Sequence, residues 1–331
     1  MPIKHPRRLC LAHLPTPLVR LERLQRELGG GEIWLKRDDL TGLELSGNKV
    51  RKLEYIIADA LDAGFDTLVT EGTPQSNHCR AAAAACAKVG LRCRLLLRPE
   101  PPAGPPLGNH LLDTLFGAEV SAYPRDRYDA QRDRIIADEL RALHAAGRKP
   151  RFTPAGSSEP LGCWGYIRAA AELAEQLFRA GLTECDIVLA LSSGGTYAGL
   201  LLGKWLHRLD HWTIHAVPVS DDVAYHKRAI AELCRAAITQ FALPVEFRAA
   251  DLNLVDGYVG AGYAIPYPAE IDAIRLLARV EGIVLDPVYT GKTFCGLIDG
   301  VRAGRFGRQR PVVFIHTGGI FSDLAWPELL V

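Results

Sequence analysis

The sequence predicts an α/β protein in which parallel strands are covered by helices on both faces. Three observations lead to this prediction. Short β-branched or apolar runs alternate with longer amphipathic segments along the whole chain. Glycine- or serine-rich turns follow several of these runs directly and lead into helical segments. Hydrophobic residues make up 48% and charged residues 23% of the 331 residues, a composition typical of globular proteins.

The individual elements follow from local pattern. Strands are predicted where β-branched or apolar runs lie between turn signals, at residues 32–37, 67–70, 93–97, 119–122, 187–191, 213–217, 283–285 and 311–316. Helices are predicted where apolar residues recur with helical spacing, at residues 49–63, 77–89, 129–146, 165–180, 196–209, 222–241, 269–281 and 291–303. Five prolines between residues 98 and 108 predict an extended surface loop, either a plain linker or the border of a cleft.

Charge and composition exclude several classes of function. Lys and Arg total 39 and Asp and Glu 38, and a net charge of +1 is too small for binding nucleic acid through a broad basic face. No apolar run reaches the roughly 18 residues of a membrane span. The apolar stretch near the N-terminus is shorter than that of a signal peptide, so we expect a cytoplasmic protein. The eight cysteines have neither CxxC nor zinc-site spacing, so we expect no metal.

The turn formed by Ser193, Gly194, Gly195 and Thr196 follows the predicted strand 187–191 and opens a helix. Main-chain N–H groups at a helix start have no partner within the helix, and the helix dipole favours an anion there. Because the glycines allow close approach and the hydroxyls add donors, a phosphate group would fit. The segment matches neither GxGxxG nor a Walker A loop. A tight turn without a ligand is the alternative.

Lys49 and Lys52 share one face at the start of the predicted helix 49–63. Nine of the 39 basic residues are lysines, yet two of them meet here. Positive charge at a helix N-terminus is unfavourable, which indicates either a bound anion or a lysine with a lowered pKa. A lysine with a lowered pKa suits Schiff-base chemistry. A pair of ordinary surface lysines is the alternative.

Polar residues also follow other predicted strands. Ser76, Asn77 and His78 start the helix after strand 67–70, where capping by Ser76 is a sufficient explanation. Residues 286–292 and 316–319 follow two later strands. Because ligands of α/β proteins bind at the carboxyl ends of strands, all of these segments could face one crevice.

Seven segments together resemble the fold type II enzymes that use pyridoxal 5′-phosphate (PLP), and most closely the D-cysteine desulfhydrase and 1-aminocyclopropane-1-carboxylate (ACC) deaminase family. They are PTPL (15–18), KRDDLTG (36–42), GNKVRKLE (47–54), QSNH (75–78), GGTYAGL (194–200), LDPVYTGK (285–292) and HTGG (316–319). They occur in family order and span almost the whole chain. Each is weak alone, but their joint occurrence is specific.

The resemblance implies an architecture and a cofactor site. The fold would resemble the tryptophan synthase β subunit, with residues 1–46 and 160–331 in a large domain, residues 47–159 in a small domain, and PLP between them. Lys49 would bind the cofactor covalently and move protons at the substrate α-carbon. The other implied cofactor contacts are Lys52, Ser193, Gly194, Gly195 and Thr196 at the phosphate, Asn77 at the pyridine 3′-oxygen and Thr317 at the pyridine nitrogen. Family members are commonly homodimers, so a homodimer is the implied assembly.

The resemblance also implies which residues contact the substrate, a small amino acid. Ser76 would bind the substrate carboxylate or lie near its leaving group. Tyr263 and Tyr289 would flank the substrate and act with Lys49 and Ser76 in catalysis. The remaining implied substrate contacts are Asn77, His78 and Thr290.

Two threonines favour one reaction within this family. Its deaminases resemble one another in carrying Glu after the tyrosine of the DPVY segment and Leu before the final Gly-Gly, where this chain has Thr290 and Thr317. A carboxylate near the pyridine nitrogen would favour its protonated form, whereas a neutral hydroxyl leaves it unprotonated. The ring is then a weaker electron sink, which suits elimination at the β-carbon. The favoured function is therefore PLP-dependent α,β-elimination of D-cysteine to pyruvate, ammonia and sulfide.

Other functions stay open at this point. Residues 159–162 resemble the deaminase form, so an ACC deaminase giving 2-oxobutyrate and ammonia is one alternative. Departures from the family pattern at Ser46 and residues 79–81 leave cysteate and β-chloroalanine as further substrates. A β-replacement synthase of the same fold type is another alternative. The last alternative is a protein without catalytic activity that binds PLP or a nucleotide. The sequence does not decide between D- and L-substrates.

Overall fold

The computed structural model describes residues 5–99 and 105–330. Its strands are β1 (Leu18–Arg20), β2 (Ile33–Lys36), β3 (Thr67–Gly72), β4 (Arg92–Leu97), β5 (Glu119–Ala122), β6 (Pro150–Phe152), β7 (Cys185–Leu191), β8 (Trp212–Pro218), β9 (Asn253–Leu254) and β10 (Val312–Ile315). Its α-helices are α1 (Glu22–Leu28), α2 (Lys49–Asp62), α3 (Asn77–Val89), α4 (Gly108–Leu115), α5 (Arg125–Ala145), α6 (Pro160–Arg179), α7 (Gly195–Leu206), α8 (Val223–Phe241), α9 (Pro268–Glu281), α10 (Thr290–Arg302), α11 (Ile320–Asp323) and α12 (Pro327–Leu330). Within the described ranges, no helix combines the length and the apolar character that crossing a membrane requires.

The larger sheet has six strands in the order β1-β2-β10-β7-β8-β9. Its neighbouring strands are parallel except for the pair β1 and β2. In the register of β7 and β8, Ile187 pairs with Ile214, and β7 is buried along almost its whole length. Such an unbroken apolar run is expected where helices cover both faces of a parallel sheet. The parallel α/β architecture predicted from the sequence is therefore confirmed.

The smaller sheet has four parallel strands in the order β5-β4-β3-β6. It is built from the middle of the chain, whereas the strands of the larger sheet come from both sides of that stretch. The carboxyl ends of β3 and β7 line the same cavity, through Gly72 and Ser192 respectively. The two sheets therefore direct their ligand-binding edges at one space. The domain boundaries at residues 46/47 and 159/160 stay a prediction.

Helices α2, α3, α6 and α7 supply much of the main apolar core. Glycines let them approach closely: a Cβ atom at Gly165 of α6 would lie 2.5 Å from the main-chain oxygen of Arg51 in α2. A Cβ atom at Gly199 of α7 would lie 2.6 Å from the Tyr166 Cβ in α6. These contacts hold α2, and with it Lys49 at its first turn, against the helices that cover the larger sheet.

Most predicted elements are confirmed with shifted ends, and one is wrong. Helix α6 begins at Pro160 rather than at residue 165, because its glycines serve close packing despite their low helix propensity. The predicted strand 283–285 is wrong: Ile283 and Leu285 are buried and Val284 is exposed, but the segment pairs with no strand in the described chain. The Val284 carbonyl oxygen instead accepts a hydrogen bond from His316 Nε2 at 2.9 Å. The short strands β1, β6 and β9 and the helices α1 and α4 are not predicted from the sequence pattern.

Candidate active site

Two loops meet backbone to backbone beside Lys49. Gly47 and Gly318 both have positive φ angles, +105° and +98°. A Cβ atom at Gly47 would lie 2.8 Å from the Thr317 main-chain oxygen, and one at Gly318 would lie 2.7 Å from the Gly47 Cα. The main-chain N–H of Asn48 donates to the Thr317 oxygen at 3.0 Å. The glycines of both motifs therefore allow the start of α2 to sit against the end of β10.

Lys49 starts α2 and projects into a cavity at the carboxyl ends of the strands. It lies deep in the protein, although part of its surface faces the cavity. Burial lowers its pKa from 10.5 to about 8. A larger fraction of Lys49 is therefore a neutral, nucleophilic amine near neutral pH than for an ordinary lysine. A lowered lysine pKa is one of the two explanations that the sequence offers for a lysine at this helix start.

Lys52 is a fully buried lysine one helical turn further along α2. Its Nζ donates to the main-chain oxygen of Gly156 at 2.8 Å. A Cβ atom at Gly195 would lie 2.9 Å from the same Nζ, so the ammonium group is next to the start of α7. Burial, and then the positive charge of Lys49, hold the pKa of Lys52 well below its usual range. An anion bound here would be stabilised by both lysines and by the dipole of α7.

The turn before α7 forms a cradle of N–H and hydroxyl groups. Gly194 has a φ of +91°, a conformation that favours glycine. The Gly195 N–H donates to Ser158 Oγ at 3.0 Å, and Ser158 Oγ donates to Ser193 Oγ at 2.9 Å. Asn48 Nδ2 donates to Thr196 Oγ1 at 2.9 Å, which links this turn to the loop before Lys49. Ser158 and Asn48 are parts of the site that sequence reasoning missed.

The start of α3 brings three further predicted residues to the cavity. Ser76 caps the helix by accepting the Cys79 N–H at 3.3 Å, as predicted. The hydroxyl of Thr70 donates to the Thr153 carbonyl oxygen at 2.8 Å, so His78 Nε2, 2.8 Å from that hydroxyl, must be the donor to it. Burial and the nearby lysines hold the pKa of His78 well below its usual range. His78 is therefore a neutral imidazole.

Tyr263 and Tyr289 form a hydroxyl pair on another wall of the cavity. Their hydroxyl groups are hydrogen-bonded to each other, and their ring centroids are 5.8 Å apart. Burial raises the pKa of Tyr263 and raises that of Tyr289 well above its usual range. Both hydroxyls therefore stay protonated and can donate a hydrogen bond to an atom that gains negative charge.

The two threonines that distinguish the subgroups occupy different places. Thr317 lines the cavity next to Lys49. Thr290 is fully buried, and its hydroxyl donates to Asp286 Oδ1 at 2.6 Å and accepts from the Asp286 main-chain N–H at 2.8 Å. The structure therefore does not bring the Thr290 side chain to the cavity wall. It acts at the start of α10 instead, together with Asp286, which sequence reasoning missed.

Most of the predicted site residues, but not Thr290, line one cavity with two connected parts. One part is lined by Lys49, Asn77, Ser193, Gly194, Thr196, Tyr289 and Thr317. The other, of about 450 Å³, is lined by Lys49, Ser76, His78, Ser193, Tyr263 and Tyr289. Lys52 and Gly195 lie directly behind the first part. Sequence reasoning missed Thr73, Gly156, Arg98 and Arg125 in the second part, because no local motif marks them.

The Pro-rich loop borders the cavity mouth, which was one of its two predicted roles. Residues 100–104 of this loop lie outside the described residues. Arg98, Pro99, Pro105 and Leu107 line an adjoining space of about 590 Å³. Arg98 and Tyr263 line both this space and the larger part of the cavity.

These residues fit a phosphorylated cofactor that reacts with an amine. Lys52 is a fully buried amine whose hydrogen-bond partner is a carbonyl oxygen rather than a carboxylate, so a bound anion would stabilise its charged form. It lies beside a helix start and a ring of hydroxyl groups, which is where a phosphate is best stabilised. Lys49, with its lowered pKa, is in the same cavity. The fold and this arrangement fit an α/β protein that binds a phosphorylated, amine-reactive cofactor at the carboxyl ends of its strands.

Comparison with known proteins identifies the family. The chain matches the family described as pyridoxal-phosphate dependent enzyme over residues 9–318. It is 42% identical over 331 residues to a D-cysteine desulfhydrase of Salmonella choleraesuis (strain SC-B67), covering 96% of this chain and 97% of that protein. The D-cysteine desulfhydrase of Salmonella newport (strain SL254) matches with the same identity and coverage. A solved structure described as an ACC deaminase homologue superimposes with a TM-score of 0.87 at 36% identity, covering 98% of this chain and 95% of that one.

The chain therefore belongs to the pyridoxal-phosphate dependent enzyme family, with the fold type II architecture. It is a PLP-dependent lyase. The cofactor, the fold class and the enzyme class predicted from the sequence are confirmed.

Proposed function

We propose that this chain catalyses the α,β-elimination of D-cysteine, consuming one water and releasing pyruvate, ammonia and hydrogen sulfide. The observation that carries the proposal is the single cavity shared by Lys49, Ser76, Tyr263 and Tyr289. The choice of substrate is supported by the 42% identity to D-cysteine desulfhydrases over nearly the whole chain.

The cofactor is held at one end of the cavity. We assign its phosphate to Lys52 and to the turn Ser193, Gly194, Gly195 and Thr196, where buried positive charge and a helix start coincide. When bound, PLP would supply a conjugated ring that withdraws electrons from the substrate α-carbon, and the substrate amine would replace Lys49 on it, so that the Lys49 Nζ is free during the reaction. Thr317 lines the cavity without bringing a formal charge, so this side chain does not favour protonation of the pyridine nitrogen.

Lys49 moves the proton at the α-carbon. A base for this step must be within reach and partly unprotonated at the working pH. Lys49 meets the second condition because burial lowers its pKa to about 8. Its Nζ takes the α-proton, and the C–H electron pair becomes the new bond between the α- and β-carbons as the C–S bond breaks.

The start of α3 orients the substrate carboxylate. Ser76 caps the helix, and the first N–H groups of a helix have no carbonyl partner within it. A carboxylate at this point is stabilised by those N–H groups and by the helix dipole. Asn77 and His78 start this helix and border the cavity, and the neutral imidazole of His78 adds no charge.

Tyr263 and Tyr289 stabilise the leaving group. Because burial keeps both hydroxyls protonated, one can donate to the substrate sulfur while the other donates to its neighbour. The sulfur leaves with the C–S electron pair, and a proton supplied through this pair gives hydrogen sulfide. A proton then moves from the nitrogen to the β-carbon, and water replaces nitrogen at the α-carbon to release ammonia and pyruvate.

The test is a substrate panel on cofactor-loaded enzyme. It includes D- and L-cysteine, cysteate, β-chloro-D-alanine, D-serine and ACC, and measures pyruvate, 2-oxobutyrate, ammonia and sulfide together, with Lys49→Ala as the inactive control. Equal amounts of pyruvate, ammonia and sulfide from D-cysteine support the proposal. Turnover of another member of the panel with none of D-cysteine refutes it.

A second candidate is ACC deamination, which gives 2-oxobutyrate and ammonia. The structural match to an ACC deaminase homologue favours it. The segment at residues 159–162 that suggested it starts α6, where Glu159 accepts a hydrogen bond from Thr153 Oγ1 at 2.6 Å. Formation of 2-oxobutyrate from ACC in the same panel would establish this activity.

We also propose a cytoplasmic location and a homodimer with domains divided at residues 46/47 and 159/160. The family resemblance supports the dimer, and the sequence pattern supports the location. Light scattering on the protein eluted from a size-exclusion column should give a molecular mass twice the chain mass of 36.2 kDa. A species of 36.2 kDa would contradict the dimer.

A further inference from the structure

A chain of buried hydrogen bonds runs from Arg80 through Asn109 to Asn77. Arg80 and Asn109 are fully buried, and Asn77 is 4% exposed. Arg80 and Asn77 are on α3, and Asn109 is on α4. Asn77 borders the cavity, whereas Arg80 and Asn109 lie behind it. The direction of each bond in this chain can be worked out from its two ends.

Arg80 is fixed and can only donate. Its Nη2 donates to the Ser46 main-chain oxygen at 2.7 Å, its Nη1 donates to the oxygen of Glu44, and its guanidinium lies 5.1 Å from the Phe321 ring centroid. Its Nε lies 3.1 Å from the Asn109 side chain. Because a guanidinium accepts no hydrogen bond, the Asn109 atom facing it must be the amide oxygen.

The other side of Asn109 is therefore its NH₂ group. Asn109 Nδ2 donates to the Gln75 main-chain oxygen at 3.1 Å and to the Asn77 side chain at 3.0 Å. The Gln75 oxygen can only accept, so it adds to the preference for the orientation that Arg80 sets. The Asn77 atom that receives the bond must be Oδ1. Its NH₂ group is then left to face away from Asn109.

We propose that Arg80 and Asn109 are positioning residues that fix Asn77 as a hydrogen-bond donor toward the cavity. This inference rests on the proposed function and on the contact between Asn77 and the pyridine 3′-oxygen of the cofactor that the family resemblance implies. A donor at that point stabilises the anionic form of the oxygen, whereas the flipped amide would place its own oxygen against the anion. The donor-to-acceptor direction that Arg80 sets therefore continues through Asn109 and Asn77 to the cofactor.

The test is Asn109→Asp, which keeps the shape of the side chain and removes its donor. The Arg80 contact survives, but Asn77 must turn its NH₂ group toward the new carboxylate and present Oδ1 to the cavity. We expect the pH midpoint of the visible absorption of bound PLP to rise. The Kd for PLP, measured by quenching of intrinsic fluorescence, should rise roughly ten- to a hundredfold, because one hydrogen bond to a charged group is lost.

Two further variants keep the test decisive if Asn109→Asp does not fold. Arg80→Lys retains a donor and should keep the midpoint near that of the unaltered enzyme. Arg80→Gln can donate or accept, so it should raise the midpoint by less than Asn109→Asp. Asn253→Asp is the matched control, because this asparagine also donates from Nδ2, to the Asp251 oxygen, but lies outside the cavity lining.

The outcomes separate the inference from the proposal beneath it. If Asn109→Asp folds and its pH midpoint is unchanged, the positioning role is wrong. If Asn109→Asp does not fold, an unchanged pH midpoint in Arg80→Gln shows instead that the positioning role is wrong. If Asn77→Ala shifts the midpoint while Asn109→Asp does not, Asn77 contacts the cofactor but Arg80 and Asn109 do not position it. If Asn77→Ala changes neither the midpoint nor the Kd, the proposed contact itself is wrong. A rise in both Asn109→Asp and Asn77→Ala, with none in Asn253→Asp, supports the inference.

Discussion

The phosphate end and the substrate end of the cavity are built in different ways. The proposed phosphate end, defined here as Lys52 and residues 193–196, depends on one turn whose hydroxyl and N–H groups bond to Ser158 and Asn48. The substrate end, defined as Ser76, His78, Tyr263 and Tyr289, comes from three separate stretches of chain. We therefore expect changes at the phosphate end to affect cofactor affinity, and changes at the substrate end to affect turnover.

Lys49 belongs to both ends, so its removal should have the largest effect. Lys49→Ala should reduce kcat by at least roughly 10²–10⁴-fold through loss of the base. It should also remove the visible absorption of lysine-bound PLP. Steady-state rates and absorption spectra measure both effects. Lys88→Ala, which removes an exposed lysine, is the control, and retained activity in Lys49→Ala would contradict the assignment.

Removing one hydroxyl should affect the substrate end alone. In Tyr289→Phe the ring stays but the donor to the leaving sulfur is lost, so we expect kcat to fall roughly 10²-fold. The Kd for PLP should change less than threefold. The rate of sulfide release gives kcat, and titration with the cofactor gives the Kd for PLP. Equal losses of kcat and of PLP affinity would contradict the proposed difference between the two ends of the cavity.

Lys52→Met should have the converse effect. This change removes the buried amine of Lys52 next to the Gly195 turn, so the Kd for PLP should rise roughly ten- to a hundredfold. At saturating PLP, the KM for substrate should stay within about threefold. Lys52→Arg keeps the charge and should lose less affinity, and Lys52→Met with unaltered PLP affinity would remove Lys52 from the phosphate site.

Asp113, behind both ends, should give the smallest effect, on stability. It is fully buried, its carboxyl oxygens have no hydrogen-bond partner among residues 5–99 and 105–330, and burial raises its pKa from 3.8 to about 8. The folded state therefore retains this proton longer than the unfolded state, and stability is lost as the pH rises through about 8. Asp113→Asn should raise the free energy of unfolding above about pH 4, reaching roughly 1–3 kcal/mol near pH 8. Urea unfolding at pH 4 and pH 8 measures this, and an equal difference at both would contradict it.

The same contrast explains what the sequence could predict. The anion-binding turn was predictable because a strand end, two glycines and a helix start are neighbours in sequence. Lys49 and Lys52 stood out because lysine is rare in this chain. Gly156, whose added Cβ would lie 2.2 Å from Ser193 Oγ, was missed because only folding brings residues 156 and 193 together.

Family resemblance reached further than local pattern, with one limit. It gave the roles expected of Tyr263 and Thr317, and the structure places both on the cavity wall. It also suggested a substrate contact for Thr290, whose hydroxyl is committed to Asp286. Position in a motif identifies a residue near the site, but side-chain direction depends on the turn at the start of α10.

The order of strands in the larger sheet has a consequence for synthesis on the ribosome. Strand β10 lies between β2 and β7, although it is the last of the described strands to be made. The smaller sheet is complete once residue 152 has been translated, whereas β2 and β7 have no bridge between them until residues 312–315 emerge. Because chains begin to fold during translation, the nascent protein should carry a finished small sheet beside an open large one until its final residues appear. A premature stop before β10 would therefore leave two strand edges exposed for association with other chains.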